Sequence, residues 1–85
     1  VSKKHHDWKT DLQVRLAELK LPVAEYVSQA SGPEHDQTFT ADALVDGVSR
    51  GTGTGPNKKL AEQEAAHQAV LFLRDHAAEA VRGNA

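Results

Sequence analysis

Two adjacent lysines, Lys58 and Lys59, follow Gly51-Thr52-Gly53-Thr54-Gly55-Pro56-Asn57 and precede Leu60-Ala61-Glu62-Gln63-Glu64-Ala65-Ala66. Asn57 is a favoured N-cap and the alanine-rich stretch after it has helical spacing, so both lysines fall in the first turn of a helix. Backbone N–H groups there lack intrahelical partners, and the helix end is partly positive. Two cations add to that field at some cost in helix stability, and an anion such as phosphate is the natural compensation. A pair of solvated lysines is the competing reading, and on these residues alone the two stand even. A nucleotide-binding P-loop does not fit. Its glycine loop ends in Gly-Lys-Ser/Thr, whereas here Gly-Pro-Asn intervenes and Leu60 stands where the hydroxyl belongs.

Other residues with chemical potential are less informative. His5 and His6 have no second cluster at ligand spacing to complete a metal site. His35 and Asp36 are neighbours in a loop without a pocket, a poor acid–base pair. Tyr26 could stack on a base, but a lone aromatic in a strand is more often core. Gln13 lies at the edge of a helical stripe, where a solvated side chain is the default.

The elements that must position these residues follow from patterning. Asp7 is a plausible N-cap, and Trp8, Leu12, Leu16 and Leu19 recur at helical spacing. Lys9, Gln13 and Lys20 flank that stripe, while Thr10, Val14 and Ala17 face away. Pro22 is expected to stop this helix near Leu19. Glu25 to Ser31 reads as a strand, and 32–36 (Gly-Pro-Glu-His-Asp) as a loop. Gln37 to Val45 alternates, with Phe39, Ala41, Ala43 and Val45 on one face. Asp46-Gly47 signals a type I′ hairpin turn, and Val48 to about Thr54 a third strand weakened by its glycines. Asn57 to about Ala78 is the second helix, with Ala61, Ala65, Ala69 and Leu73 along its seam. The expectation is an α+β domain, α-β-β-β-α, with a three-stranded antiparallel sheet and both helices on one face. Its bounds are 7–78, between a linker at 1–6 and a flexible tail at 79–85.

The chain has 85 residues, 39% hydrophobic and 26% charged, which suits a single domain with a modest core. No apolar run approaches the ~20 residues that span a bilayer, and no secretory signal is present, so no membrane partner is expected. With no cysteine there is neither a disulfide framework nor thiolate chemistry, which fits a reducing cytoplasm. A start at Val1 with no methionine anywhere suggests a piece of a longer protein. The net charge of −2 argues against a general nucleic-acid sponge. Arg50, Lys58 and Lys59 nevertheless sit between Asp46 and Glu62 with no acid among them, a local basic patch.

Three motifs in order resemble a double-stranded-RNA-binding domain, and more narrowly the carboxy-terminal domain of bacterial ribonuclease III. They are Asp7-Trp8-Lys9-Thr10-x-Leu12-Gln13, then Gly32-Pro33-Glu34-His35-Asp36 followed by Phe39, and then Gly53-x-Gly55-x-x-Lys58-Lys59-x-Ala61-Glu62-Gln63-x-Ala65-Ala66. The resemblance covers about Asp7 to Leu73. It implies binding of A-form RNA by shape, over two successive minor grooves and the intervening major-groove phosphates, about 16 base pairs in all. Gln13 would hydrogen-bond 2′-hydroxyls or base edges in one minor groove, with Thr10 on the neighbouring backbone. The 32–36 loop, through Pro33, Glu34 and His35, would enter the next minor groove. Lys58 and Lys59 would clamp phosphates, with Asn57 adding a hydrogen bond.

Two positions depart from the pattern. Val14 stands where ribonuclease III domains commonly carry Glu, and Glu62 where many other members place a third lysine, so modest affinity is implied. The resemblance further implies an attached N-terminal nuclease domain, a homodimeric parent that cleaves double-stranded RNA in rRNA and mRNA processing, and a monomeric isolated domain. Magnesium would belong to the nuclease domain, since its acidic signature is missing from this sequence and no cofactor is expected here. The alternative of a different class is a protein-interaction or dimerisation module of the same fold, with weak or no RNA binding.

Overall fold

The computed structural model describes residues 7–82, with side-chain environments for 7–76. The expected linker at 1–6, with His5 and His6, lies outside the described residues. Helix α1 spans Trp8–Glu18, β1 Glu25–Ser31, β2 Thr38–Val45, β3 Val48–Gly55 and α2 Lys58–Arg82, with a 3₁₀ turn at Glu34–Asp36. The strands form one antiparallel sheet in the order β1-β2-β3. This is the α-β-β-β-α arrangement that the patterning predicts.

Asp7 caps α1 as expected: its carboxylate accepts from Thr10 N at 3.2 Å and from Thr10 Oγ1 at 2.8 Å. The end of α1 falls where the spacing predicts, with Leu19 as the C-cap, but its cause is a correction to the sequence reading. The helix ends at Glu18, before Pro22 can act. Lys20 takes a left-handed backbone (φ 61°). Its N–H donates to the Ala17 carbonyl at 3.1 Å, and Leu21 N–H donates to the Leu16 carbonyl at 2.8 Å. That pair of bonds is a Schellman closure, and its hydrophobic partners Leu16 and Leu21 are both buried.

The hairpin turn matches expectation, with positive φ at Asp46 (54°) and Gly47 (84°). Register shifts between Ala43, which faces Gly51, and Leu44, which faces Ser49. Arg50 is therefore the extra residue of a bulge. Its guanidinium lies 4.6 Å from the Phe72 ring centre, and its Nε is buried without a hydrogen-bond partner. Arg50 is accordingly not part of the lysine patch. Gly51 faces the Ala65–Ala69 stretch of α2, about 15 Å along the helix from Lys58.

The glycines of β3 explain how α2 is seated. A Cβ placed on Gly51 would lie 2.5 Å from Ala69 N, and one on Gly53 would lie 2.6 Å from the Glu64 Cβ. Glycine there admits the helix backbone directly against the strand, opposite the buried Ala61, Ala65 and Ala69. Thr52 and Thr54 occupy the alternate, exposed positions. Helix α2 packs on β3 and β2, and α1 packs against α2 on the same side. Leu12, Leu16, Ala41, Ala43, Val45, Val70 and Leu73 join the alanine seam in one core, with Trp8, Leu19, Tyr26, Phe39 and Phe72 partly buried around it.

The spacing predicts that α2 ends near Ala78. The structure carries it to Arg82, past a non-helical backbone at His76 (φ −134°, ψ 34°). Residues 77–82 are mostly good helix formers, with no glycine or proline before Gly83. The stretch expected to be a tail thus begins as helix.

Candidate nucleic-acid interface

Three separate pieces of chain carry the candidate residues, and the fold brings two of them to one end of the sheet. Ser31 pairs with Thr38, and Phe39 pairs with Gly55. The 32–36 loop and the junction into α2 therefore leave the sheet at the same end. The third piece, the start of α1, is tied to α2 through Glu62 and Gln63, one turn beyond the lysines.

The junction into α2 follows the sequence closely. Asn57 Oδ1 accepts from Leu60 N at 2.9 Å, and the Asn57 carbonyl accepts from Ala61 N at 3.1 Å. The cap occupies the side-chain oxygen, so only the Asn57 amide N–H groups remain for an outside acceptor. Lys58 and Lys59 are exposed. Neither makes an ion pair or hydrogen bond to another described residue. Two exposed ammonium groups on long, rotatable stems beside unpaired helix N–H donors can follow a line of phosphates of variable geometry.

The loop is more ordered than the sequence suggests. Pro33 precedes the 3₁₀ turn in an extended conformation (φ −68°, ψ 157°), and its carbonyl accepts from Asp36 N at 2.9 Å. Gly32 has φ +93°, and a Cβ there would approach the Asp36 carbonyl oxygen to 2.9 Å. Glycine is thus required twice over, by backbone angle and by space. Pro33, Glu34 and His35 are all exposed on this turn.

On α1, Gln13 is half-buried and borders a shallow apolar groove with Thr10, Val14, Val23, Ala24 and Tyr26. Thr10 is exposed, and its hydroxyl donates to Asp7. Of its hydrogen-bonding capacity, the oxygen lone pairs stay open to an outside donor. Val14 and Val23 are exposed at 52% and 66%, which leaves an apolar surface next to Gln13. Tyr26 packs against the core, and burial with nearby Glu62 and Asp7 pushes its hydroxyl up to about 12. That placement favours the core role over base stacking.

The contacts that the sequence did not reveal join the two helices. Lys9 Nζ meets Glu62 Oε1 at 2.8 Å and lies 4.7 Å from the Tyr26 ring centre. Gln63 Oε1 accepts from Trp8 N at 2.8 Å, while Gln63 Nε2 donates to Asp7 Oδ1 at 3.1 Å. Hydrogen bonds from Gln63 and then Thr10 hold the Asp7 carboxyl down at about 2. Trp8 stacks on His67 at 3.9 Å between ring centres. Periodicity cannot see such pairs, because they lie more than fifty residues apart. The one trace in the sequence is the polar Glu62-Gln63 pair in the turn after the lysines.

Among the described residues, no group of three His, Cys, Asp or Glu side chains could hold a metal ion. No helix among them is long and apolar enough to cross a membrane.

The profile of the double-stranded RNA binding motif matches residues 8–73. Ribonuclease 3 of Corynebacterium diphtheriae is 61% identical over 74 residues, which make up 87% of this chain and 30% of that protein. Ribonuclease 3 of Streptomyces coelicolor is 51% identical over 79 residues, 93% of this chain and 29% of the relative. The chain therefore spans less than a third of the length of these curated relatives. A solved structure of Arabidopsis HYL1, described for its implications for miRNA processing, matches with a TM-score of 0.73. It is 35% identical, and the match covers 82% of this chain and 100% of that one.

Proposed function

This chain belongs to the double-stranded RNA binding motif family, and from that premise we propose that it binds double-stranded RNA by shape, as the substrate-binding domain of a ribonuclease III. The observation that carries the reading is the family match over residues 8–73 together with the exposed Lys58 and Lys59 at the capped start of α2, which pair with no other described residue. Lys58 and Lys59 contact phosphates across the major groove. Gln13 and Thr10 on α1 face one minor groove, and Pro33, Glu34 and His35 face the next. The Gln13 amide pairs with 2′-hydroxyls, which both donate and accept. The apolar floor at Val14 and Val23 suits sugar edges better than base edges, so sequence preference is slight.

In the parent protein this domain supplies affinity and placement. A magnesium-dependent nuclease domain, N-terminal to it and paired in a homodimer, cleaves the duplex during rRNA and mRNA processing in the cytoplasm. The relatives named Ribonuclease 3, about three times the length of this chain, support that assignment.

The test is a titration of this chain against an RNA duplex of ~20 base pairs, longer than the ~16 of the family footprint. A DNA duplex of the same sequence and single-stranded RNA are the comparisons. Salt-sensitive binding to duplex RNA alone is the expected result. Equal binding to both duplexes would reduce the interface to a basic patch. No binding to any of the three would favour a protein-interaction module.

A further inference from the structure

We propose that Gln63, assisted by Glu62, is a positioning residue: it locks the start of α1 to the second turn of α2, and so sets the separation between Gln13 and the Lys58–Lys59 pair. The proposal rests on the RNA-binding reading above and adds a residue that touches no RNA.

The geometry is specific to glutamine. Its oxygen accepts from Trp8 N (2.8 Å), while its nitrogen donates to Asp7 Oδ1 (3.1 Å). Asp7 in turn holds Thr10, through N at 3.2 Å and Oγ1 at 2.8 Å. One amide thus bridges a backbone donor and the capping carboxylate of the other helix. Glutamate would set a second carboxylate against Asp7, and a hydrocarbon would satisfy neither group. Beside it, Lys9 and Glu62 pair at 2.8 Å, with the Glu62 side chain only 14% exposed.

The hydrophobic contacts between the helices cannot replace this bracket. Apolar burial is non-directional, and helix crossing angles scatter by about 15° for similar interfaces. Gln13 lies about 7.5 Å along α1 from Trp8, so a swing of about 15° about the bracket moves it by roughly 2 Å. Hydrogen bonds to a rigid duplex do not tolerate that displacement. A ligand read by shape must engage both ends together, and the fixed spacing of A-form grooves makes the separation part of its recognition.

The experiment uses the 85-residue chain with Gln63→Met, which removes both bonds while keeping charge, length and helix propensity. Affinity for RNA and DNA duplexes of one sequence is measured over a range of salt, at a temperature where circular dichroism shows each protein folded. The expected result is a loss of about tenfold on RNA, near 1.4 kcal/mol. The salt slope should stay unchanged, as it does for Gln13→Ala, because the displaced contact is uncharged, and DNA binding should not change. Gln63→Met that lowers the melting temperature but leaves RNA affinity at the wild-type value would overturn the proposal.

Glu62→Ala gives an independent arm. By charge alone it should strengthen binding to duplex RNA, and that outcome counts against positioning. By positioning, affinity for duplex RNA falls although a negative charge was removed. A flat titration of the unsubstituted chain would instead overturn the RNA-binding reading, and this proposal with it.

Discussion

Replacing Gly53 with alanine tests the seating of α2 most directly. The added Cβ would lie 2.6 Å from the Glu64 Cβ and 2.7 Å from the Ala61 carbonyl oxygen. Most of what it meets belongs to the helix backbone, so no side-chain rotation relieves the overlap and α2 must move as a body. Overpacking a tight core costs ~1–3 kcal/mol, and backbone clashes put this case near 3. The lower entropy of the unfolded alanine chain offsets ~0.4–1 kcal/mol, leaving a net loss of about 2 kcal/mol. At ~0.05–0.15 kcal/mol per residue the whole domain holds only ~4–13 kcal/mol, so such a loss is large. With an m-value of ~1 kcal/mol/M the urea midpoint should fall by about 2 M, and the melting temperature by ~8–16 °C.

The assay is urea unfolding followed by circular dichroism, with two companions. Gly55→Ala, where the nearest atoms stand at 3.0 Å, should lose clearly less. Thr54→Ala, on the exposed face of the same strand, should stay within ~0.5 kcal/mol of wild type. If Gly53→Ala matched Thr54→Ala, the close approach of α2 to β3 would be wrong.

Four further outcomes are expected. Lys58→Ala and Lys59→Ala should each weaken binding to duplex RNA and lower the salt slope by up to about one ion. Gln13→Ala should weaken binding with the slope unchanged, and titrations at three salt concentrations separate the two. Lys20→Gly should raise the melting temperature by ~4–8 °C, because relieving a left-handed backbone on a residue with a Cβ gains about 1 kcal/mol. Stability should vary with pH at both extremes. The Asp7 carboxyl is depressed from 3.8 to about 2, so its contribution is complete above pH 3.8 and is lost as pH falls through 2. The Tyr26 hydroxyl is raised from 10.0 to about 12, so its contribution is complete below pH 10.0 and is lost as pH rises to 12. Asp7→Asn should flatten the acid limb and Tyr26→Phe the alkaline one, read by thermal melts across pH.

Local chemistry made most of the fold legible. The caps at Asp7 and Asn57, the Asp46-Gly47 turn, the alternation through β2 and the four-residue seam of α2 are short-range patterns. The structure repeats each of them. Lys58 and Lys59 could be placed at a helix start for the same reason, since a cap and a period are properties of neighbouring residues. The end of α1 near Leu19 was legible but its cause was not, because Pro22 is a visible breaker, whereas a left-handed Lys20 is not. The end of α2 escaped because residues 77–82 contain no breaker.

What only the tertiary structure decided were relations between distant segments. The glycines of β3 read as weak points in a strand, and become the contact surface only when Ala65 and Ala69 arrive opposite them. Arg50 reads as a member of a basic patch until the bulge turns it onto Phe72. Glu62 and Gln63 find their partners only when α1 lies beside them and supplies Lys9, Trp8 and Asp7. A sequence records which groups a chain can offer to a partner. Which group meets which across fifty residues depends on how the core closes, because non-directional burial brings the helices together before directional bonds can select their partners.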